Sequence, residues 1–180
     1  MTVKTIKLKV HTPAGPIFPG RGFYQLEEDA LYVQLAPFSR EFRFFSYLES
    51  RQVRFDLNKA GQLLFIELSL ARRHWLVDNN FFIPKGTIPA DIRWLDFREK
   101  IHEPKITTNK NKTTVKISFT ESPPVFNYIP ASSLIVQTDD KLKLIAVYIT
   151  EIVDDVAGRE IAAFRNTVLK QLPLQDYKTA

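Results

Sequence analysis

The chain has 180 residues, of which 44% are hydrophobic and 25% charged, and it contains no cysteine. This composition is typical of a globular protein and excludes disordered and collagen-like chains, and the length predicts one large domain or two small ones. The lack of cysteine excludes thiol nucleophiles, disulfide bonds and cysteine-ligated zinc. The net charge of +5 favours solubility and a weak attraction to polyanions.

The hydrophobic pattern indicates a soluble, cytoplasmic protein. No apolar stretch of signal-peptide length lies in the first ten residues. No apolar run approaches the roughly 20 residues that a membrane-spanning helix needs. We therefore expect no contact with a membrane.

Aromatic and β-branched residues occur in short runs, which predicts a protein made mainly of strands. Residues 3–10 nearly alternate between apolar and polar, as in a strand with one exposed face. Prolines and glycines then exclude regular structure as far as Phe23, and the next predicted strand is Leu31–Leu35. Residues 38–48 fit a helix or a strand, and their aromatic content favours a strand.

A β-hairpin is predicted in the middle of the first half. Val53–Leu57 alternates strictly, Asn58–Gly61 is typical of a turn, and Leu63–Leu70 returns as the second strand. Gly61 is able to take the positive φ that a short hairpin loop needs. Leu64 and the alternate residues after it are expected to face the core.

The remainder of the chain predicts a connector, a second strand-rich unit and one helix. Residues 72–104 are irregular, with one or two short strands. The strands of the second unit are predicted at residues 113–119, 125–129, 134–138 and 142–152. Four apolar residues at helical spacing predict a C-terminal amphipathic helix. These residues are Ile161, Phe164, Val168 and Leu172.

The two predicted hairpins match each other at an offset of 81 residues, which indicates an internal repeat. The polar turn Asn58–Lys59 falls on Asp139–Asp140. The apolar pairs are Val53 with Leu134, Phe55 with Val136, Leu63 with Leu144, Leu64 with Ile145, Ile66 with Val147 and Leu68 with Ile149, and one residue of slippage adds Val33 with Val115 and Leu35 with Ile117. Two copies imply a pseudo-two-fold arrangement.

The predicted fold class is mainly β (α+β). It consists of two related antiparallel β units in a pseudo-two-fold arrangement, with one C-terminal helix. The expected units are residues 1–104, with the N-terminal strand and the connector, and residues 105–180, with the helix. The two spans could also form one fused domain.

One segment has a more specific pattern, Tyr24-Gln-Leu-Glu27-Glu28-Asp29-Ala30-Leu31-Tyr32-Val33. It resembles a family of short bacterial proteins that is defined only as a domain of unknown function and carries a Tyr-x-x-Glu-x-Asp-Ala-Leu-Tyr-Val type motif. The family continues with a hairpin whose second strand ends in isoleucine-glutamate-leucine, here Ile66-Glu67-Leu68. The resemblance covers Phe23–Ala71, and the internal repeat implies that the unit is duplicated in this chain.

The resemblance implies no established activity, although an association with small toxin genes would imply an antitoxin or partner-binding role. The second copy departs from the motif, because Lys112-Thr-Thr-Val115 stands in its place and Glu67 has no counterpart. In the first copy, residues 27–29 predict an acidic turn in which Asp29 accepts backbone N–H groups. This favours a structural role over a catalytic one.

Basic residues beside aromatic ones indicate a nucleic-acid interface as an alternative. Single-stranded nucleic acid binds basic grooves that offer aromatic rings for stacking. The candidate residues are Arg72, Arg73, Trp75, Arg93, Lys105, Lys110, Lys112 and Lys116. Acidic residues between them, such as Asp91 and Asp96, weaken this interpretation.

The sequence does not predict an enzyme. It has no glycine-framed nucleophile and no glycine-rich phosphate loop, and His11, His74 and His102 lie in unrelated contexts. We expect no catalytic residue, no metal site and no cofactor. The expected function is that of a non-catalytic binding or structural protein that engages a protein partner or a second copy of itself as a dimer. Nucleic-acid binding is the alternative, and an enzyme of unknown class is third.

Overall fold

The structure, a computed structural model, describes residues 5–37, 43–96, 99–155, 158–160, 162–163 and 165–166. These residues form sixteen strands and a 3₁₀ turn at Arg72–His74. The strands are β1 (Leu8–His11), β2 (Arg21–Gln25), β3 (Ala30–Gln34), β4 (Ser46–Glu49), β5 (Val53–Leu57), β6 (Leu63–Leu68), β7 (Leu76–Val77), β8 (Ile88–Pro89), β9 (Asp91–Trp94), β10 (Glu99–Lys100), β11 (Lys105–Thr108), β12 (Val115–Ser118), β13 (Phe126–Ala131), β14 (Leu134–Thr138), β15 (Leu144–Ile149) and β16 (Val153–Asp154). The prediction of a mainly β fold is confirmed.

The described strands form two seven-stranded sheets and a two-stranded ribbon. The first sheet has the order β10-β4-β5-β6-β3-β2-β16, the second has the order β7-β11-β12-β15-β14-β13-β8, and the ribbon pairs β1 with β9. In each sheet the five inner strands are antiparallel, whereas each edge is a two-residue strand parallel to its neighbour. Edges this short offer few unpaired backbone groups to another chain.

One hydrophobic core joins the two sheets and the ribbon. Strand β5 illustrates how the sequence builds it, since Val53, Phe55 and Leu57 are buried and the intervening Arg54 is exposed. The ring of Phe55 stacks on that of Trp94 in the ribbon, with 5.2 Å between the ring centroids. Each large apolar side chain buried in this way stabilises the fold by about 1.5–3 kcal/mol.

The hairpins β5–β6 and β14–β15 pair in the same register. Phe55 lies opposite Ile66 in the first hairpin, and Val136 lies opposite Val147 in the second. Each hairpin also has one register shift, and it falls at the same position relative to these pairs. The offset of 81 residues taken from the sequence therefore superimposes the hydrogen-bonding patterns of the two hairpins.

The turns of the two hairpins are held by equivalent hydrogen bonds. The Oδ1 atom of Asn58 accepts two backbone N–H groups at 3.0 and 2.8 Å, and the Oδ1 atom of Asp139 accepts two at 2.8 and 2.9 Å. Three residues further on, Gly61 has φ 84° and Leu142 has φ 60°. A leucine with positive φ is uncommon, so the Asp139 turn holds Leu142 in a conformation that glycine adopts without strain in the first copy.

The structure aligns β3 of the first unit with β12 of the second in a different register from the one that the sequence predicts. Leu31 pairs with Leu68, and Val115 pairs with Ile149. Because Leu68 and Ile149 occupy equivalent positions, Val115 corresponds to Leu31 and not to Val33. The slippage is three residues, and the sequence could not distinguish the two alignments because a two-residue shift keeps every side chain on the same face.

Edge strands are exchanged between the two halves of the chain. β7 follows β6 of the first sheet but pairs with β11 of the second, and β16 follows β15 of the second sheet but pairs with β2 of the first. The segments that precede β2 and β11 also cross over. Phe18, before β2, bridges Ala131 at the end of β13, and β10, before β11, pairs with β4. A boundary after residue 104 therefore separates strands that pair with each other in both sheets.

Two local predictions differ from the structure. β2 begins at Arg21, within the region predicted to be irregular as far as Phe23, because β3 and β16 supply hydrogen-bonding partners on both sides. Leu64 packs with Phe23 and Phe65 on the outer face of the first sheet and not in the central core. The register shift beside Leu57 changes the alternation at the start of β6.

The apolar residues of the predicted C-terminal helix, Ile161, Phe164, Val168 and Leu172, lie outside the described residues, so that helix stays a prediction. In the same part of the chain, the described residues with helical backbone are Arg159, Glu160, Ala162, Ala163, Arg165 and Asn166. Nowhere in the described ranges does a helix reach the length and hydrophobicity needed to cross a membrane.

Candidate functional site

A cavity of about 430 Å³ lies beside the central ribbon. We call it the ribbon cavity. Its walls come from the loop 13–18, residues 35–37 after β3, the start of β6, residues 90–94 in and before β9, and strands β13 and β14. Both sheets and the ribbon therefore contribute to one concave site.

Most of the wall of the ribbon cavity is apolar. Phe18, Leu35, Ile92, Trp94 and Leu134 are among its lining residues. The last four are buried, because they also belong to the central hydrophobic core. A preformed apolar cavity of this size is typical of sites that bind small molecules.

One end of the ribbon cavity is polar. The guanidinium of Arg93 donates two hydrogen bonds to the carboxylate of Asp91, from Nε to Oδ1 at 3.0 Å and from Nη2 to Oδ2 at 2.6 Å. The Nε2 group of Gln62 donates to the same Oδ1 atom at 3.2 Å. Burial raises the pKa of Asp91, but the hydrogen bonds from Arg93 and Gln62 outweigh it and hold the pKa below its usual value. The carboxylate is therefore ionised and paired at neutral pH.

The loop 13–18 forms the exposed side of the ribbon cavity. Its two prolines and Gly15 prevent regular structure, and a β-carbon at Gly15 would meet no atom within 4 Å outside its chain neighbours. The end of the loop is fixed, because the carbonyl of Phe18 accepts the N–H of Ser132 at 2.9 Å. Gly20, with φ 71°, lies so close to the Ser133 side chain that a β-carbon would be 2.2 Å from Oγ.

Two of the predicted nucleic-acid residues contribute to packing. Trp75 is 2% exposed and donates its indole N–H to the carbonyl of Leu70 at 2.9 Å, so its ring has no free face for a base. The guanidinium of Arg72 lies 4.2 Å from the ring centroid of Tyr24 and forms an ion pair with Asp154. Through these contacts Arg72 joins the 3₁₀ turn to β2 and β16 of the first sheet.

The other predicted residues are distributed over several elements. Arg73 pairs with Asp29 at 3.3 Å, and the Nζ group of Lys112 donates to the carbonyl of Arg72 at 3.0 Å. Lys116 on β12 lies 5.4 Å from the ring centroid of Tyr148. Lys105 on β11 and Lys110 in the following turn are exposed, whereas Arg93 is part of the ribbon cavity.

The residues of the Tyr24–Val33 motif hold a turn together. The hydroxyl of Tyr24 donates to Asp29 at 3.1 Å and accepts the backbone N–H of Arg72 at 2.9 Å. The hydroxyl of Tyr32 donates to Glu28. Asp29 itself has φ 52°, a conformation that aspartate tolerates better than most residues. These contacts give the motif a structural role.

Sequence reasoning identified Arg93 but missed the site that contains it. In the sequence Asp91 weakens the prediction of a basic patch, whereas in the structure it is the hydrogen-bonding partner of Arg93. The two residues are separated by one position on a strand, so their side chains project from the same face, and this spacing was the available signal. Among the described residues, no group of three or more histidine, aspartate or glutamate side chains is placed to hold a metal ion.

Comparisons with known proteins give no family for this chain. It matches no protein-family model. No curated protein sequence matches it significantly. The resemblance based on the Tyr24–Val33 motif therefore stays a prediction.

Proposed function

We propose that this protein is a non-catalytic binding protein and that its ligand is a small, mainly apolar molecule held in the ribbon cavity. The observation that carries the proposal is the lining of that cavity, in which apolar walls from both sheets surround one polar end. A volume of about 430 Å³ lies within the range of ligand-binding pockets. Since Asp91 and Arg93 neutralise each other, the ligand needs polar atoms at one end but no net charge. A cytoplasmic location is part of the same proposal.

The proposal is tested with N-phenyl-1-naphthylamine, a neutral dye whose fluorescence increases when it leaves water. Ala14 is exposed and lines the ribbon cavity, so Ala14→Phe adds a ring at its entrance without disturbing the core. Ala60 is exposed in the β5–β6 turn and does not line the cavity, so Ala60→Phe is the matched control. We expect Ala14→Phe to weaken dye binding about tenfold and Ala60→Phe to leave it unchanged. Equal binding by both variants, or no binding by the wild-type protein, would overturn the proposal.

We also propose that the two halves arose by duplication and are related by an approximate two-fold axis through the ribbon. The matching registers, turns and strand orders of the two sheets support this, as does the exchange of edge strands. Two ion pairs support a C-terminal helix packed on the first sheet. Arg21 on β2 pairs with Glu160 at 2.8 Å, and Glu28 after β2 pairs with Arg165 at 2.5 Å.

A second candidate function is association with a protein, for which we propose another copy of this chain. The connector between β7 and β8 crosses the outer face of the second sheet, where Phe81 packs on Tyr148 with 5.8 Å between ring centroids. The next two residues are exposed apolar side chains, with Phe82 69% and Ile83 43% exposed. Neighbouring exposed apolar residues of this size are typical of interaction surfaces.

Sedimentation velocity over a range of concentrations tests self-association. We expect the wild-type protein to form a dimer and Phe82→Asp to remain monomeric, because a carboxylate in the interface would lose its hydration. Lys85→Asp changes charge in the same connector without removing an apolar group and is the control. A wild-type protein that stays monomeric at high concentration excludes this candidate.

The nucleic-acid alternative depends on lysines of the β11–β12 hairpin. Lys105 and Lys116 alternate with the buried Ile106 and Ile117, so they project from the outer face of the second sheet, and Lys110 lies in the turn. The triple change of these lysines to glutamate tests the alternative by anisotropy of a labelled single-stranded oligonucleotide at low salt. Binding that is lost in the triple variant and falls steeply with salt supports this alternative. Absence of wild-type binding at low salt removes it.

A further inference from the structure

A second cavity, of about 420 Å³, lies at a place in the second sheet and its neighbouring segments that corresponds to the place of the ribbon cavity in the first. Its lining residues are Thr5, Ile6, Ile101, His102, Phe119, Thr120 and Leu144. We call it the histidine cavity. Nothing in the proposed function of the ribbon cavity accounts for it.

Backbone positions establish the correspondence between the two cavities. Ile101 and His102 precede β11 by the same number of residues as Ile17 and Phe18 precede β2. In each pair the first residue is isoleucine, whereas the aromatic Phe18 of the ribbon cavity is replaced by His102. The histidine cavity thus has a polar ring where the ribbon cavity has an apolar one.

Hydrogen bonds establish the same correspondence on the opposite wall. Leu35 donates its backbone N–H to Leu64 at 2.9 Å, and Phe119 donates its N–H to Ile145, the residue equivalent to Leu64, at 2.8 Å. Phe119 therefore takes the place of Leu35, and Thr120 follows it as an alanine follows Leu35. The histidine cavity keeps an apolar wall and gains a hydroxyl group.

The polar ends of the two cavities differ in net charge. Lys143 follows the positive-φ residue of its turn, Leu142, as Gln62 follows Gly61 in the first hairpin, and Lys7 forms an antiparallel bridge with Lys143. Leu8 donates its backbone N–H to Leu142 as Trp94 donates its N–H to Gly61, so Lys7 corresponds to Arg93 and the uncharged Thr5 stands in the place of Asp91. Among the described residues, neither lysine side chain makes an ion pair. Two like charges on directly opposed residues destabilise the pairing of their strands.

Carboxylates in the adjoining segments are bound to backbone groups. Asp139 accepts the N–H groups of Lys141 and Lys143 through Oδ1. Glu103 accepts the N–H of Arg51 at 2.9 Å. The carboxylate of Asp96 lies 3.5 Å from the backbone nitrogen of Lys7, at the limit of a hydrogen bond. Backbone hydrogen bonds from Lys143 and Lys141, and by a smaller amount the charge of Lys143, lower the pKa of Asp139. Because neither Lys7 nor Lys143 makes an ion pair in the part of the chain that the structure describes, both ammonium groups can still contact an anion from outside the chain.

We propose that the histidine cavity binds a small amphipathic anion. Its apolar body packs against Ile6, Ile101, Phe119 and Leu144. Its carboxylate or sulfonate group is held by Lys7 and Lys143, which are the sequence neighbours of the lining residues Ile6 and Leu144 and whose counterparts Arg93 and Gln62 line the ribbon cavity. Hydrogen bonds between ammonium groups and an anion are stronger than those between neutral groups. The negative charge of the anion also reduces the repulsion between the two lysines. The site is distinct from the ribbon cavity and has a different ligand class.

The test uses 1-anilinonaphthalene-8-sulfonate, an anionic dye with the same aromatic skeleton as N-phenyl-1-naphthylamine. We expect the double variant Lys7→Gln/Lys143→Gln to weaken binding of the anionic dye about fivefold, since two exposed charge contacts are lost. Lys141→Gln, in the same turn but outside the bridge, is the matched control and is expected to bind the dye as the wild type does. Binding of the neutral dye is expected to be the same in all three proteins.

Cavity-filling variants locate the anionic dye. Thr120→Phe is expected to weaken its binding, and Ala14→Phe is expected to leave it unchanged. The proposal is overturned if the double lysine variant binds the anionic dye as tightly as Lys141→Gln, or if Ala14→Phe rather than Thr120→Phe removes it. These results are independent of the neutral dye in the ribbon cavity, so either site can fail without the other. Thermal unfolding of each variant shows whether it is folded.

Discussion

The hydroxyl group of Tyr24 connects three segments of the first half. It donates to Asp29 in the turn after β2 and accepts the backbone N–H of Arg72, while the Arg72 guanidinium lies over its ring. The phenol ring also meets Trp75 edge to face, with 5.7 Å between centroids. Burial raises the pKa of Tyr24, although the hydrogen bond from Arg72 lowers it, so the hydroxyl stays protonated and available as a donor.

We predict that Tyr24→Phe lowers the free energy of unfolding by about 1–2 kcal/mol, because the N–H of Arg72 and the carboxylate of Asp29 lose a partner. Urea denaturation measures the change. Tyr128→Phe is the control, since Tyr128 is also buried and its hydroxyl makes no hydrogen bond to the described residues. We expect its effect to stay within about 0.5 kcal/mol. Equal stability of the two variants would contradict the role given to the Tyr24 hydroxyl.

Glu67 lies on the outer face of the first sheet, where its ionised carboxylate destabilises the folded state. It lies between Tyr32 and Arg54 on the neighbouring strands. Burial raises its pKa, the nearby charge of Asp56 raises it further, and Arg54 lowers it by a smaller amount. A carboxyl whose pKa is higher in the folded state binds its proton more tightly there, so stability falls as the pH rises through that pKa.

We predict that Glu67→Gln is more stable than the wild type at pH 8, by no more than about 1 kcal/mol because Glu67 is partly screened by solvent. The gain shrinks as the pH falls and disappears below the usual carboxyl pKa of 4.5, where Glu67 is protonated in both the folded and the unfolded state. Urea denaturation at several pH values measures it, with the exposed Glu121→Gln as control. A gain that is independent of pH would refute the assignment.

At the scale of elements, the two hairpin turns depend on one side-chain oxygen each. We predict that Asn58→Ala lowers the free energy of unfolding by about 1–2 kcal/mol, since two backbone N–H groups lose their acceptor. Asp139→Ala tests the equivalent turn and is expected to show a similar loss. Asp139→Asn keeps the acceptor oxygen and is the matched control. If Asp139→Asn is as destabilising as Asp139→Ala, the acceptor oxygen is not the cause.

These hairpins could be predicted from the sequence because the residues that specify each of them are neighbours in the chain. Alternation in Val53–Leu57, the turn residues after it and the returning strand all lie within one short segment. β2 and the two-residue edges could not be predicted in this way, because their partners lie up to about 130 residues away in the chain. The ribbon cavity could not be predicted from the sequence for the same reason. Its lining residues Phe18, Leu35, Arg93 and Leu134 come from different elements, and none of them lies in a sequence pattern that indicates the others.

At the scale of the whole molecule, the sheets are not independent units. β7 and β8 come from residues 1–104 but complete the second sheet, and β16 comes from residues 105–180 but completes the first. The central core includes side chains from both spans, among them the stacked Phe55 and Trp94 and the neighbouring Phe119. Separation of the spans would expose this core and leave β2 and β11 without their parallel neighbours.

We predict that the fragments 1–104 and 105–180 do not fold when each is produced alone and that they associate when refolded together. Near-ultraviolet circular dichroism and thermal unfolding measure this, because packed aromatic residues such as Trp94 give a signal only in the folded state. The intact chain is the reference. A fragment that unfolds cooperatively by itself would show that it forms a domain without the other span.

The exchange of β16 has a consequence for synthesis of the protein on the ribosome. Strand β2 is translated about 130 residues before residues 153–154, which cover its free side. Until those residues emerge, the nascent first sheet has an open edge and an uncovered apolar face, and exposed surfaces of this kind make a chain prone to aggregation. The native edge of the first sheet therefore depends on pairing between distant segments, which is a slow step in folding.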